Sequence, residues 1–318
     1  MGLKFRCILV LLLAVPVAAQ DADPPKPIFV AVGYGGRRAS SADGVRWEHD
    51  QELAANGGDD WTLLCDVAFG KGVFVAVGGG DNYAPYQVTR DGKTWKEIRP
   101  GWKGRIGHIA FGNGRFVAGG GRLTWSEDGE TWKQGVKIPF EKGVHLRHIV
   151  FGNGVFVGAG DCWVKEAAWY RVVTPDGESV AHFETGKLPV RGMTFGAGRF
   201  VAVQGDGSIE SSIDGKSWER SEIEPDKGNY SVLWTGKQFL VSGGKVALLS
   251  PDGRSWTKTT TRISCSPLAG GGGVFVGGSW KRGLWTSVDA LTWKPSSLAD
   301  NGNAFCAAAW GVPEPERK

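Results

Sequence analysis

Side chains that can do chemistry recur at a similar position in several short apolar segments, shortly before the glycine that ends each segment. Their groups are carboxylate, imidazole, guanidinium and phenol, and the residues are Asp66, Arg105 with His108, Arg147 with His148, Arg191, and Tyr230. If these segments surround a common axis, the polar groups converge, as a small anionic or sugar ligand requires. The alternative is that they are ordinary solvated residues, and the sequence leaves both interpretations open.

Metal and cofactor chemistry has little support in the sequence. His145 and His148 form a His-x-x-His pair without an evident carboxylate partner, which is weak evidence for a metal site. Cys-x-x-Cys, His-Glu-x-x-His, Walker-type and Gly-x-Ser-x-Gly motifs are absent from the sequence. The many Gly-x-Gly fragments belong to turns of a repeat. We therefore predict neither a metal nor a cofactor.

The elements that position these side chains follow an internal repeat. One aspartate recurs at spacings of 48, 37, 48, 38, 38 and 37 residues: Asp43, Asp91, Asp128, Asp176, Asp214, Asp252 and Asp289. A serine or threonine stands two residues before each aspartate, and a tryptophan stands four residues after it in six of the seven copies. Such a turn lets hydroxyl and carboxylate oxygens accept backbone N–H groups. The tryptophan is an apolar wedge that can pack between neighbouring sheets.

Each copy contains four short strands, and tight Phe-Gly-Asn-Gly turns such as residues 111–114 join the first strand to the second. The first copy starts at Phe29 with a second strand, and the segment Cys306–Gly311 supplies a first strand without a second. Joining these halves leaves no open sheet edge. The sequence therefore predicts an all-β, seven-bladed β-propeller over residues 28–311, closed by its C-terminal strand.

The repeat resembles that of the Asp-box, or bacterial neuraminidase repeat, propellers. The resemblance implies one alternative function, a sialidase-like hydrolase of an anionic sugar. In that family three arginines hold the carboxylate, a tyrosine paired with a glutamate is the nucleophile, and an aspartate is the acid. The matching types here are Arg105, Arg147, Arg191, Tyr230 and Asp66. The turns are one residue shorter than the family's usual pattern, its Arg-Ile-Pro motif is missing, and its enzymes favour six blades.

The loops opposite the repeated turns vary in length and are rich in aromatic residues. Function is commonly carried by variable loops on a rigid scaffold. We expect ligand binding by the loop aromatics of blades 1, 2, 4 and 7, which are Tyr34, Tyr83, Tyr86, Trp163, Trp169, Tyr170 and Trp280. Blades 7, 1 and 2 are neighbours, so Trp280, Tyr34, Tyr83 and Tyr86 are expected to form one continuous patch, with Arg37, Arg38, Lys281 and Arg282 beside it. The other interpretation is that these loops only cover the ends of their blades.

Whether the cysteines form a disulfide is a further open question. Cys65 and Cys306 take matching positions in the first strands of two blades. Cys265 is one residue off that position, and Cys162 lies elsewhere in the repeat. An exported protein can form a disulfide, but the bridge needs Cα atoms about 4.4–6.8 Å apart. A disulfide and buried thiols both remain possible.

The first residues predict export. Lys4 and Arg6 precede a short apolar run, and Val17-Ala18-Ala19 suits signal-peptidase cleavage. We expect a signal peptide at 1–19, a linker at 20–27 and a tail at 312–318. The balanced charge gives no reason to expect nucleic acid. The predicted protein is a secreted or periplasmic monomer without membrane insertion, which binds a glycan or an extracytoplasmic protein without catalysis.

Overall fold

The computed structural model describes residues 25–53, 62–80, 86–102, 106–138, 144–162, 168–186, 188–224, 226–228, 230–263, 265–279, 283–298 and 303–314. These residues form seven four-stranded antiparallel sheets. The first strands of neighbouring sheets contact one another around the ring. The prediction of a seven-bladed β-propeller is confirmed. In the described part of the chain, no helix has the length and apolar character that a bilayer crossing requires.

The strands of each blade are given from the axis outward. Blade 1 consists of β28 (Phe305–Gly311), β1 (Ile28–Gly33), β2 (Arg38–Ser41) and β3 (Glu48–Gln51), and blade 2 of β4 (Leu64–Gly70), β5 (Val73–Gly78), β6 (Tyr86–Thr89) and β7 (Lys96–Ile98). Blade 3 consists of β8 (His108–Gly112), β9 (Arg115–Gly119), β10 (Arg122–Ser126) and β11 (Lys133–Lys137), and blade 4 of β12 (Val144–Gly152), β13 (Val155–Cys162), β14 (Ala168–Thr174) and β15 (His182–Gly186). Blade 5 consists of β16 (Val190–Gly196), β17 (Arg199–Gln204), β18 (Ile209–Ser212) and β19 (Glu219–Arg220), and blade 6 of β20 (Ser231–Trp234), β21 (Phe239–Ser242), β22 (Leu248–Ser250) and β23 (Thr257–Lys258). Blade 7 consists of β24 (Ser266–Gly271), β25 (Val274–Ser279), β26 (Gly283–Ser287) and β27 (Lys294–Pro295).

The two ends of the chain meet in blade 1. Strand β28 pairs antiparallel with β1, from Ile28 opposite Gly311 to Val32 opposite Ala307. The edge of β1 that faces the axis is therefore covered, as the two half-repeats predicted. Ring closure by the C-terminal strand is confirmed.

The repeated turns owe their shape to local chemistry. Asn113 and Gly114 both have positive φ, 47° and 72°, which makes a two-residue hairpin turn between β8 and β9. In the aspartate turn of blade 3, the Asp128 Oδ1 atom accepts the backbone N–H groups of Glu130 and Thr131 at 2.8 and 2.6 Å. The Ser126 hydroxyl accepts the N–H of Gly129 at 2.9 Å. These bonds fix the turn that starts the outer strand.

The tryptophan that follows six of the seven aspartate turns packs against the preceding blade. In blade 3, Trp132 stacks on Tyr86 of blade 2, with 4.1 Å between ring centroids. In blade 1, Trp47 joins a core cluster with Val276 and Leu284 of blade 7. These contacts confirm the wedge that the repeat predicted.

A second set of contacts joins the inner strands. The glycine that ends an inner strand lies under an aromatic ring from the next blade, so closely that an added Cβ would sit 2.0–2.2 Å from the ring. Six of the seven interfaces have this contact: Gly70 with Phe111, Gly112 with Phe151, Gly152 with Phe195, Gly196 with Trp234, Gly271 with Trp310, and Gly311 with Phe69. Strand β28 contributes to two of them, so it completes the ring of contacts as well as the sheet of blade 1.

Candidate binding site at the channel mouth

Four inner strands carry a β-bulge at the same register, five residues before their final glycine. The extra residue has no partner on the neighbouring strand, and it is Cys65 in β4, Arg147 in β12, Arg191 in β16 and Cys306 in β28. A bulge re-aims the side chain of its extra residue and increases the local twist. The bulges lie at the start of the inner strands, opposite the hairpin turns. They therefore surround the channel mouth on the face of the variable loops.

A cavity of about 300 Å³ opens at this mouth. Residues from blades 1, 2, 3, 4, 5, 6 and 7 line it, which places it on the axis. Among the side chains that the sequence singled out, the cavity brings together Asp66, His108, His148, Arg191 and Tyr230. Sequence reasoning did not assign Cys65, Leu268 or Cys306 to it, although the shared offset from the final glycine could have identified both cysteines.

The one carboxylate of this group is held by the protein itself. The Oδ2 atom of Asp66 lies 3.2 Å from Nδ1 of His108 and accepts the N–H of Ile109 at 3.1 Å. Its Oδ1 atom accepts the N–H of Val67 at 2.8 Å. Asp66 therefore joins blades 2 and 3 at the mouth and orients the His108 ring.

His148 is a neutral member of the cavity wall. Its ring centroid is 5.5 Å from that of His108. Burial, with a smaller effect of His108, lowers the pKa of His148 to about 3, and this outweighs the opposite effect of the Val190 and Arg191 backbone. The imidazole is therefore uncharged at neutral pH, since protonation would bury a positive charge near the cationic Arg147.

Arg191 is a charged residue of the cavity wall. It is exposed, and its guanidinium has no ion-pair partner within the described part of the chain. Tyr230, 40% exposed, lines the same cavity from the next blade, and its ring is close to the backbone of Gly243. An exposed cation at a concave opening suits an anionic group on a larger ligand.

Arg147 does not share this cavity. Its Nε and Nη2 atoms donate to Oδ2 of Asp161 on the neighbouring strand of the same blade, at 3.2 and 3.1 Å. It lines a separate space of about 20 Å³ with His145. Arg105 lies outside the described residues. The described residues therefore do not assemble the three-arginine clamp of the sialidase-like alternative.

Several residues expected in the exposed loops lie elsewhere. Tyr86 is wholly buried in β6, and its hydroxyl is 2.8 Å from that of Thr124, so the expectation of an exposed Tyr86 is wrong. The side chain stacks on Trp132 instead of facing a ligand. Trp169 and Tyr170 lie within β14, with Trp169 half-buried and Tyr170 buried. Tyr34 is half-buried in a single 3₁₀ turn, Tyr34–Gly36.

The two arginines expected beside the aromatic patch are also internal. Arg37 is 1% exposed, donates to both carboxylate oxygens of Asp50 at 2.8 and 2.7 Å, and donates to the carbonyl of Asn303 at 2.7 Å. Arg38 is 6% exposed and donates to Gln87 at 3.0 Å. Their expected place in a surface patch is wrong, because partners from other segments bury both guanidinium groups. The remaining loop residues that the sequence singled out lie outside the described residues: Tyr83, Trp163, Trp280, Lys281 and Arg282.

Comparison with known proteins supports the fold and gives no closer relationship. No family model matches the chain, and no curated protein matches it. The solved structure of YCF48 bound to D1 peptide matches with a TM-score of 0.52 at 18% identity, covering 76% of this chain and 87% of that one. The computationally designed Ika8 protein matches with a TM-score of 0.52 at 11% identity, covering 89% and 96%. At these identities the likeness shows a β-propeller fold alone.

Proposed function

We propose that this protein is a non-catalytic binding propeller that holds an acidic segment of a partner protein at the channel mouth. The observation that carries the proposal is the exposed Arg191, which lines the axial cavity together with Tyr230. The neighbouring charges already have partners, Asp66 with His108 and Arg147 with Asp161. An incoming carboxylate would therefore meet the Arg191 guanidinium, which has no ion-pair partner in the described part of the chain.

The size of the opening favours a side chain over a whole small molecule. A volume of about 300 Å³ is at the lower end of the range for ligand pockets. A partner could place one acidic side chain in the cavity while the rest of its segment rests on the surrounding loops. A propeller of similar fold, YCF48, has been solved with a bound peptide. That likeness supports the use of this fold for peptide binding but identifies no partner here.

The geometry also favours binding over hydrolysis. Asp66 accepts three hydrogen bonds or close contacts from the protein, so it is poorly placed to donate a proton to a leaving group. His148 is kept neutral by burial, and Arg147 is directed to Asp161. A sialidase-like reaction needs three arginines on one carboxylate, and Arg147 faces another space.

Family and location are part of the proposal. The hydroxyl–aspartate turns have the hydrogen bonds that an Asp-box turn needs, which supports membership of the Asp-box propellers. The basic and apolar start of the sequence supports export by a signal peptide ending at Ala19. We place the protein, as a monomer, outside the cytoplasm.

An array of immobilised peptides tests the binding proposal. One set carries paired aspartates and glutamates, and the matched set has asparagine and glutamine in their place. We expect the wild-type protein to select acidic peptides, and Arg191→Gln to weaken that binding about tenfold, which is ~1.4 kcal/mol. Arg254→Gln is the matched control, because Arg254 is also an exposed arginine but lies on an aspartate turn, with 58% of its side chain exposed.

Two outcomes would contradict the proposal. Equal binding by wild-type protein and Arg191→Gln would remove the mouth as the site. Binding to a glycan array, with no binding to acidic peptides, would replace the protein partner by a sugar. Added salt should weaken binding through Arg191, since an exposed charge pair is screened.

A further inference from the structure

Two of the four bulge residues are cysteines, and they lie on neighbouring inner strands. Cys306 is the extra residue of β28 between the pairs Phe305–Gly33 and Ala307–Val32, and Cys65 is the extra residue of β4 between Leu64–Gly78 and Asp66–Val77. The register is the same in both strands, so the two bulges stand at the same height on the axis. Both residues line the same axial cavity.

Strands β28 and β4 are closely packed. Ala307 shares a core cluster with Leu64 and Val67. At the hairpin end, the ring of Phe69 lies where a Cβ of Gly311 would be, at 2.2 Å. The inner strands of blades 1 and 2 are therefore in direct contact from the core to the hairpin turns.

Two other interfaces report the spacing of inner strands near the mouth. An added Cβ on Gly107, which has the same register as Cys65, would lie 2.5 Å from the Leu146 carbonyl oxygen of the next blade. An added Cβ on Gly192, one residue nearer the hairpin turn, would lie 3.2 Å from Cα of Ser231, again on the next blade. Neighbouring inner strands near the mouth are therefore within side-chain reach of each other, as the Cβ separation of about 3.5–4.5 Å in a disulfide requires.

We propose that Cys65 and Cys306 form a reversible intrachain disulfide that ties the closing strand to blade 2. The structure contains both residues as thiols. The bridge would close a loop of about 240 residues and would hold the C-terminal strand to a second blade. Opening of blade 1 would then require breaking a covalent bond as well as a sheet ladder.

The reaction is an exchange with an external disulfide, such as glutathione disulfide or an oxidised dithiol protein. The Cys65 thiolate attacks the oxidant, forming a mixed disulfide and releasing one thiolate. The Cys306 thiolate then attacks the Cys65 sulfur and releases the second thiolate. The two cysteines lose two electrons and two protons, and the oxidant is reduced to two thiols.

The timing of this exchange follows from the folded environment. Burial, together with the nearby Cys65 and Asp66, raises the pKa of Cys306 to about 12. A thiol of this kind is a poor nucleophile, so the folded and reduced protein oxidises slowly. The bridge should therefore form before β28 is fully buried, while both thiols still reach solvent.

Peptide mass spectrometry of protein expressed in an oxidising compartment tests the inference. Thiols are alkylated during lysis, and the protein is digested without reductant. We expect a linked pair of peptides containing Cys65 and Cys306, two hydrogen masses lighter than the separate peptides. Cys265→Ser is the matched control, because it removes a buried thiol of blade 7 and should leave the linked pair intact.

Thermal unfolding supplies a second measurement. Reduction should lower the melting temperature of the wild-type protein by roughly 10 °C. It should leave the Cys65→Ser/Cys306→Ser variant unchanged. Alkylation of both residues in protein from the oxidising compartment, or linkage of either one to another cysteine, would overturn the inference. The mass measurement uses the wild-type chain, so it stands even if the double variant does not fold.

Discussion

Replacing Gly112 by alanine should destabilise the propeller, although the same change often stabilises a protein. Gly112 ends β8, and the ring of Phe151 from the next blade lies on it. The φ of Gly112 is not positive, so alanine meets no backbone strain there. Alanine for glycine at such a site contributes about 0.4–1 kcal/mol by restricting the unfolded chain. The sign of the effect therefore depends on the space available for one methyl group.

The structure leaves no space for a methyl group at this position. A Cβ on Gly112 would lie 2.0 Å from Cγ of Phe151, and the ring would have to move by more than 1 Å to reach ordinary contact, roughly 3.5–4.0 Å. Phe151 cannot move freely, because its ring centroid is 4.8 Å from that of Phe156. Overpacking costs about 1–3 kcal/mol, which exceeds the gain in the unfolded state. We expect the melting temperature to fall by roughly 2–8 °C.

A double-mutant cycle separates steric conflict from other causes. Phe151→Leu makes room for the new methyl group, so Gly112→Ala/Phe151→Leu should lose less stability than the sum of the single changes. The coupling should exceed ~0.5 kcal/mol in urea unfolding followed by circular dichroism. A Gly112→Ala variant as stable as wild type, or additive effects in the cycle, would refute the role assigned to these glycine–aromatic contacts.

Three further outcomes follow from the structure. Removal of residues from Ala304 onward should abolish cooperative unfolding, because it exposes the inner edge of β1 and the core between blades 1 and 2. A truncated protein that unfolds cooperatively at the wild-type temperature would contradict closure by β28. Asp128 has a pKa of about 2, because its backbone and hydroxyl hydrogen bonds outweigh the effect of burial, so its contribution to stability should be complete above pH ~4 and disappear as the pH falls through 2. Asp128→Asn should reduce this acid sensitivity in pH-dependent unfolding. Because the pKa of His148 is lowered to about 3 in the folded protein, protonation of the unfolded chain should reduce the free energy of unfolding progressively as the pH falls below ~6.5. The ring signals of His148 in NMR should not titrate between pH 7 and 5. A titration midpoint near 6.5 would contradict the burial of this side chain.

The fold was predictable because its signals are local and repeated. The hydroxyl, aspartate and glycine of each turn bond to one another within a few residues, so their spacing alone specifies the turn. The half-repeats at Phe29 and Cys306–Gly311 gave the closure because a sheet edge must be paired. The same periodicity located the inner strands and, with them, the side chains at the channel mouth.

The site was only partly predictable, because its details depend on distant partners. Arg37 is buried by Asn303, which is 266 residues away, and no local pattern contains that contact. Tyr86 begins β6, and its burial follows from the position of Trp132 in the next blade. The bulges could not be predicted from the alternation of apolar and polar residues, because a single extra residue interrupts this alternation in the same way as a short loop. Arg147 therefore seemed equivalent to Arg191, although Asp161 holds it elsewhere.

The most direct test of the binding account is site-specific photo-crosslinking to an acidic peptide selected on the array. A photoreactive phenylalanine replaces Tyr230 at the mouth or, as the control, Ile213, which is 60% exposed on an aspartate turn of the opposite face. The account predicts a crosslink from position 230 that is lost when Arg191→Gln is added, and no crosslink from position 213. Equal labelling at both positions, or labelling at 213 alone, would contradict it.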